Sequence, residues 1–324
     1  MKPEYLLGWG DPIIVRQALS ETLPFTTKSA SSLRDMGYTP HYGNPKLIGQ
    51  LKSLAERQSG HRPKHLFVTC GATGAINAAL HALKDTWTDW VVTNNRYFPI
   101  YPTIIAMTDM IMINRQKKDF LCNKSNGCKQ RNFISLIDSP SNPEGLIFPF
   151  DEVDIWDAAY ATRTYSRSAH SPLKWKVMCG SLSKTLGLSG LRLGWASTDD
   201  DTLANSLSNH VTASYIGLPG PSMAIAEEVL DLLDLDRFET LSAGYLDDNR
   251  QQMQKLLDRF GQGNVPSRGM FAILQLGKTE RKAMKRANIV WQPGSTWGED
   301  DNWARLSLGQ TREITRAAVK AALK

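Results

Sequence analysis

Cysteine is scarce in this chain of 324 residues: four, at positions 70, 122, 128 and 179. So few thiols, so unevenly spaced, exclude a disulfide framework. Cys122 and Cys128, in a polar Lys/Asn/Gly stretch, are close enough to pair, but a reduced, cytoplasmic setting is the expectation. No run of 18 apolar residues occurs, which excludes an apolar membrane-spanning helix. Met1 to Trp9 lacks the continuous apolar stretch of a signal peptide. The six histidines (His41, His61, His65, His81, His170 and His210) show no metal-ligand spacing, so no metal site is expected. No internal repeat or low-complexity segment is present. No helix-turn-helix pattern fits before residue 40, which argues against a DNA-binding regulator.

What remains is ordinary globular material, 41% hydrophobic and 22% charged. The chain is long enough to bury a sizeable core as one large domain or two modest ones. A net charge of +6 admits an anionic substrate or a nucleic-acid partner without requiring either. The densest basic clusters are Arg115 to Lys118 and Lys278 to Arg286.

Residues 1–40 read as an irregular arm, with turn chemistry at Gly8 to Pro12 and a short helix from Ile13 to Leu19. A helix over Lys46 to Gln58 follows, with Leu47, Leu51 and Leu54 on one face. Strands are predicted at His65–Thr69, Trp90–Thr93, Met107–Asn114, Phe133–Asp138, Val153–Asp157 and Lys176–Cys179, alternating with helical segments. That alternation predicts an α/β fold with a mostly parallel central sheet flanked by helices, over residues 41–235. Long helices over 221–260 are followed by short strands at Met270–Leu276, Ile289–Trp291 and Ala304–Leu308. A closing helix runs over Glu313–Lys324. Residues 236–324 therefore read as a small α+β domain.

Candidate ligand groups follow the carboxyl ends of the predicted strands, where open α/β sheets bind ligands. Cys70-Gly71-Ala72-Thr73-Gly74 joins a strand to a helix and presents free backbone N–H groups to an anion. An acid at a buried strand end, such as Asp157, needs a cationic partner. The stretch from Gly180 to Trp195 places Lys184 among the hydroxyls of Ser181 and Ser183, with Arg192 eight residues on. A lysine whose proton is disfavoured by a nearby guanidinium can form a Schiff base with an aldehyde. Serines and an arginine fork suit a phosphate. Together they suggest pyridoxal 5′-phosphate, which is both an aldehyde and a phosphate ester.

In this order the pieces resemble the fold-type I pyridoxal-phosphate enzymes of the aspartate aminotransferase superfamily. The motifs are Ser181-x-Ser183-Lys184, Gly190-x-Arg192-x-Gly194, Gly71-Ala72-Thr73-Gly74, Asn142-Pro143-x-Gly145, Asp157-x-x-Tyr160, Pro293-Gly294-Ser295 and Arg305. The resemblance implies that Lys184 holds the cofactor and shuttles the Cα proton. It implies that Asp157 pairs with the pyridine nitrogen, Asn142 and Tyr160 contact the ring hydroxyl, and Phe98 stacks on the ring. A phosphate cup of Gly71, Ala72, Thr73, Ser181, Ser183 and Arg192 is implied too. Arg305, with Asn142 and Gly10, falls at the substrate. Tyr38 fits the tyrosine that reaches a partner subunit's phosphate, implying a homodimer.

Only fifteen residues separate Asn142 from Asp157, and Ala158 replaces the usual acid. This short link is similar to the alliinase and plant tryptophan-aminotransferase branch. Trp297, beside Gly298, is expected at the site's entrance. The implied activity is transamination of an amino acid. A decarboxylase or lyase on the same scaffold is the alternative, including one acting on an amino acid attached to a nucleotide or another anionic carrier.

Overall fold

The apolar runs that alternate with helical segments form one seven-stranded sheet. The computed structural model describes residues 4–8, 10–23, 37–86, 88–114, 132–147, 152–166 and 174–324. In chain order the strands are β1 (Tyr5–Leu6), β2 (His65–Cys70), β3 (Thr88–Thr93), β4 (Ile111–Asn114), β5 (Asn132–Asp138), β6 (Glu152–Asp157), β7 (Lys174–Ser181) and β8 (Leu193–Thr198), then β9 (Gly263–Asn264), β10 (Phe271–Gln275), β11 (Ile289–Val290), β12 (Gln292–Pro293) and β13 (Trp303–Ser307). The helices are α1 (Ile13–Thr22), α2 (Pro45–Ser59), α3 (Gly71–Leu83), α4 (Tyr101–Ala106), α5 (Leu182–Thr185), α6 (Asp201–Tyr215), α7 (Gly220–Leu232), α8 (Leu235–Phe260), α9 (Lys278–Arg286) and α10 (Arg312–Ala322).

The large sheet has the order β2-β8-β7-β6-β5-β3-β4. β8 runs antiparallel to both its neighbours, and every other pair is parallel. Parallel neighbours cannot be joined by hairpins, so the chain crosses over between them. The carboxyl ends of β5, β6 and β7 therefore lie side by side, in register at Asp138, Asp157 and Cys179. None of the described residues in the β5–β6 link is helical, as the short Asn142–Asp157 spacing requires.

Helix starts and stops follow local chemistry. The Asn44 side chain accepts from the Leu47 N–H at 2.8 Å, Pro45 occupies the first helical turn, and Gly60 ends α2 at φ 75°, where a side chain would be strained. Leu47, Leu51 and Leu54 are all buried. The strand predicted over Met107–Asn114 begins only at Ile111. Met107 caps α4, and Asp109 turns the chain at φ 54°.

A second, antiparallel sheet has the order β12-β13-β10-β9. β1 pairs in parallel with β11, and α1 packs against α8. Residues 4–23 are thus built into the C-terminal unit, where an irregular arm was expected; the strand pairing and the buried face of α1 explain the difference. No helix among the described residues is long and apolar enough to cross a membrane.

Candidate active site

β7 leads directly into the short helix α5. Ser181 caps it, its Oγ accepting from the Ser183 N–H at 3.1 Å and donating to the Leu193 carbonyl at 3.4 Å. Lys184 on α5 is half-buried, and its Nζ donates to the Gly10 carbonyl. The Tyr165 hydroxyl holds the Lys184 carbonyl at 2.9 Å. Burial pulls the amine down to about 8, with Arg305 and Arg192 pushing the same way and Asp11 and Asp157 opposing. About a tenth of the amine is therefore neutral, and nucleophilic, at pH 7, far more than for a free lysine.

Asp157 ends β6 with 6% of its surface exposed. It accepts from the Tyr101 hydroxyl at 2.8 Å and the Ala159 N–H at 3.0 Å. Burial raises its carboxyl pKa despite these donors, the state of an acid that lacks a cation. Asp138, at the end of β5 and 2% exposed, accepts from the Asn142 N–H at 2.7 Å and from the Asn94 amide. Burial pushes it well above the ordinary range, and the neighbouring Asp157 adds to the effect.

Arg305 on β13 is 4% exposed. Its Nη1 donates to Asn142 Oδ1 at 3.0 Å and its Nη2 to the Gly8 carbonyl at 3.3 Å. Its Nε has no hydrogen-bond partner. The guanidinium lies 4.1 Å from the Phe271 ring centroid. Burial holds it down to about 10. Tyr160 packs edge-on against Phe271 and Tyr165, and burial raises its hydroxyl pKa.

The third part of the site is the start of α3. Gly71 has φ 68° and lies against the Arg192 guanidinium, where an added Cβ would stand 2.9 Å from Nη2. A Cβ on Gly194 would strike Gly71 and come within 2.6 Å of the Gly180 carbonyl and 2.8 Å of the Ala72 nitrogen. Glycine at 194 is what lets β8 approach the α3 terminus. Ala72 is half-buried and Thr73 exposed there, and Ser183 on α5 is buried. Arg192 is exposed, and its Nη1 donates to the Ser189 carbonyl at 3.0 Å. Phe98 is half-buried, edge-on to Tyr101 at 5.5 Å.

The structure thus links Lys184 to Gly10, Asn142 to Arg305, and Arg192 to Gly71. Tyr38 stands apart: it is 95% exposed and lines an open cavity of about 620 Å³ with Lys46, Glu227 and Asp231. Trp297 is not at an entrance. It is 0% exposed, with the Arg96 guanidinium 5.9 Å from its ring, because the turn after β12 folds it inward. Cys122, Cys128 and His170 lie outside the described residues, among which no cluster of metal-ligating side chains occurs.

Several participants escaped the sequence reading. Asp138 and Tyr101 engage Asn142 and Asp157. Asp11 accepts from Arg16 at 2.6 Å and Ser189 at 2.9 Å, strapping the Gly10 turn to the loop after Lys184. Arg96 bridges Glu144 at 2.6 Å and Glu299 at 2.7 Å. The buried acid at the end of β5 was legible by the reasoning applied to Asp157.

A partly neutral lysine, a buried acid with no cation hydrogen-bonded to it among the described residues, and a glycine-lined helix N-terminus beside an arginine have the chemistry that an aldehyde with a basic ring nitrogen and a phosphate would require. Comparison with known proteins agrees: residues 4–321 match the family Aminotransferase class I and II, and the chain belongs to that family, which depends on pyridoxal 5′-phosphate. It is 26% identical to tryptophan aminotransferase-related protein 2 of Arabidopsis thaliana, over 70% of this chain and 54% of that protein. It is 31% identical to the alliin lyase of Allium cepa, over 66% of this chain and 46% of the enzyme. The chain thus spans about half the length of these relatives. Aspartate aminotransferase of Thermus thermophilus (a double mutant) superposes with TM-score 0.76 at 18% identity, covering 98% of this chain and 90% of that one. The aromatic aminotransferase of Pyrococcus horikoshii superposes with TM-score 0.77 at 18% identity, covering 99% and 95%. These likenesses establish an aspartate aminotransferase-like fold.

Proposed function

We propose that the protein is an aminotransferase that takes an amino acid at Lys184, with Arg305 as the anchor for its α-carboxylate. The observation that carries this reading is Arg305 itself. A buried guanidinium is costly unless an anion joins it, and Arg305 has no carboxylate partner among the described residues. Its planar fork suits a carboxylate in two-point contact.

The donor set fits pyridoxal phosphate. Lys184 would hold the aldehyde carbon and Asp157 the ring nitrogen. Asn142 and Tyr160 would meet the ring hydroxyl, and Phe98 the ring face. The Gly71–Thr73 backbone, the Thr73, Ser181 and Ser183 hydroxyls and Arg192 would take the phosphate. Bound there, the cofactor supplies an electron sink for a bond broken at the substrate's Cα.

The chain's own groups do the rest. Lys184 Nζ would move the Cα proton, a task suited to an amine held at about 8. Asp157, its orientation fixed by the Tyr101 hydroxyl, would hold a proton on the ring nitrogen. Phe271 and Tyr160 keep water away from Arg305. A homodimer, a reducing, cytoplasmic compartment for the free Cys70 and Cys179, and a large cofactor-binding domain over residues 41–235 followed by a small C-terminal domain over 236–324 complete the proposal.

A lyase reading is favoured by one finding, the alliin lyase relatives at 31–32% identity. Single-turnover assays separate the two. An aminotransferase converts one equivalent of amino acid to its keto acid and stops until a second keto acid is supplied. Continuous ammonia or carbon dioxide release from the amino acid alone would replace transamination with elimination or decarboxylation.

A further inference from the structure

We propose that Asp138 is a positioning residue for the carboxylate site, acting on Arg305 through Asn142. The inference rests on the reading of Arg305 as the carboxylate anchor. Asn142 follows β5 in a loop that must place two groups at once. Its side-chain oxygen orients the Arg305 guanidinium at 3.0 Å, while its backbone N–H is taken up at 2.7 Å by Asp138 Oδ2. The loop's other internal bonds join residues on either side of Asn142: Gly145 donates to the Ser141 carbonyl, Ser141 to the Leu146 carbonyl, and Leu146 to Ser141 Oγ. Among the described residues, Asp138 is the acceptor for the backbone N–H of the residue that touches Arg305. It is itself fixed by the Asn94 side chain, which donates to its Oδ1 and, at 3.2 Å, to its carbonyl. Asn94, Asp138 and Asn142 thus tie the end of β3 to the end of β5 and then to Arg305 on β13.

The charged and titratable groups around Asp138 are consistent with a carboxyl that serves as an acceptor and not as an ion-pair partner. Asp157 is its register partner on β6, and the Tyr101 hydroxyl is committed to Asp157. Among the described residues no lysine or arginine hydrogen-bonds to Asp138. Both Asp138 oxygens face N–H donors, Asn94 at Oδ1 and Asn142 at Oδ2, so Asp138 acts through its shape and acceptor oxygens. An amide of the same shape keeps an acceptor for the Asn142 N–H; alanine does not.

The test is calorimetric titration of the cofactor-loaded protein with 3-phenylpropionate, a carboxylate without an amino group. It is run on wild type, Asp138→Asn, Asp138→Ala and Arg305→Lys, with cofactor affinity measured in parallel. Losing the anchor of a buried loop should weaken 3-phenylpropionate binding about tenfold in Asp138→Ala. Cofactor affinity should move less than about threefold, and Asp138→Asn should stay within about threefold of wild type. If Asp138→Ala does not fold, Asp138→Ser, whose hydroxyl is too short to replace Oδ2, carries the same expectation. Unchanged carboxylate binding in Asp138→Ala or Asp138→Ser, with a loss in Arg305→Lys, overturns this inference alone. So does equal weakening by asparagine and alanine, which would make the acid's charge the active property. Unchanged binding in Arg305→Lys overturns the carboxylate-anchor reading beneath it.

Discussion

A lysine attacks an aldehyde only after giving up its proton, and burial holds Lys184 at about 8 against 10.5 for a free side chain. Deprotonation makes the nucleophile, so the rate at which apoprotein captures pyridoxal phosphate should climb with pH through about 8 and level above it; stopped-flow absorbance reads this. Lys184→Ala should abolish the capture and lower turnover by about 10²–10⁴-fold. Arg305→Lys keeps the charge and loses the fork. It should raise the substrate KM about tenfold or more with a smaller fall in kcat, as steady-state kinetics would show. Trp297, fully buried, should cost about 3–5 kcal/mol when cut to alanine, measured by denaturant unfolding. Lys184, Asp157, Asn142 and Arg305 were legible because each sits in a short motif whose chemistry is local. The burial of Trp297 was not, since it depends on Arg96, contributed by a distant segment.

At the scale of elements, β8 and α3 meet because Gly194 has no side chain. Gly194→Ala would drive a methyl into the Gly71–Ala72 peptide and shift the helix terminus proposed to take the cofactor's phosphate. The expected outcome is a cofactor Kd raised about tenfold or more, read by fluorescence titration, with the fold retained. Strands β2, β3, β5, β6 and β7 were legible as apolar runs bounded by turn residues, and α2 from its leucine spacing and cap. Met107–Met110 was not, because an apolar run does not reveal that α4 and the turn at Asp109 use it first. The pairing of β1 with β11 was also hidden: two residues joining a strand 284 positions away (Tyr5 with Ile289) leave no periodic signal.

At the scale of the molecule, Arg96 ties the loops of the large sheet to the C-terminal unit. It joins Glu144 beside Asn142 to Glu299, and stacks over Trp303, two residues before Arg305, at 4.8 Å. Arg96→Ala leaves two half-buried glutamates without their cation. It should destabilise the protein by about 1–3 kcal/mol in thermal unfolding and raise the substrate KM. The central claim joins Lys184, Asp157 and Arg305 into one amino-acid site, and visible absorbance of the purified protein tests it most directly. Protein loaded with pyridoxal phosphate should show an absorption band that Lys184→Ala lacks. Adding one amino acid, with no keto acid present, should bleach the band and release one equivalent of keto acid, and Arg305→Lys should require a higher amino-acid concentration for the same bleaching. A protein that takes up no pyridoxal phosphate, or whose band survives unchanged in Lys184→Ala, would contradict the account.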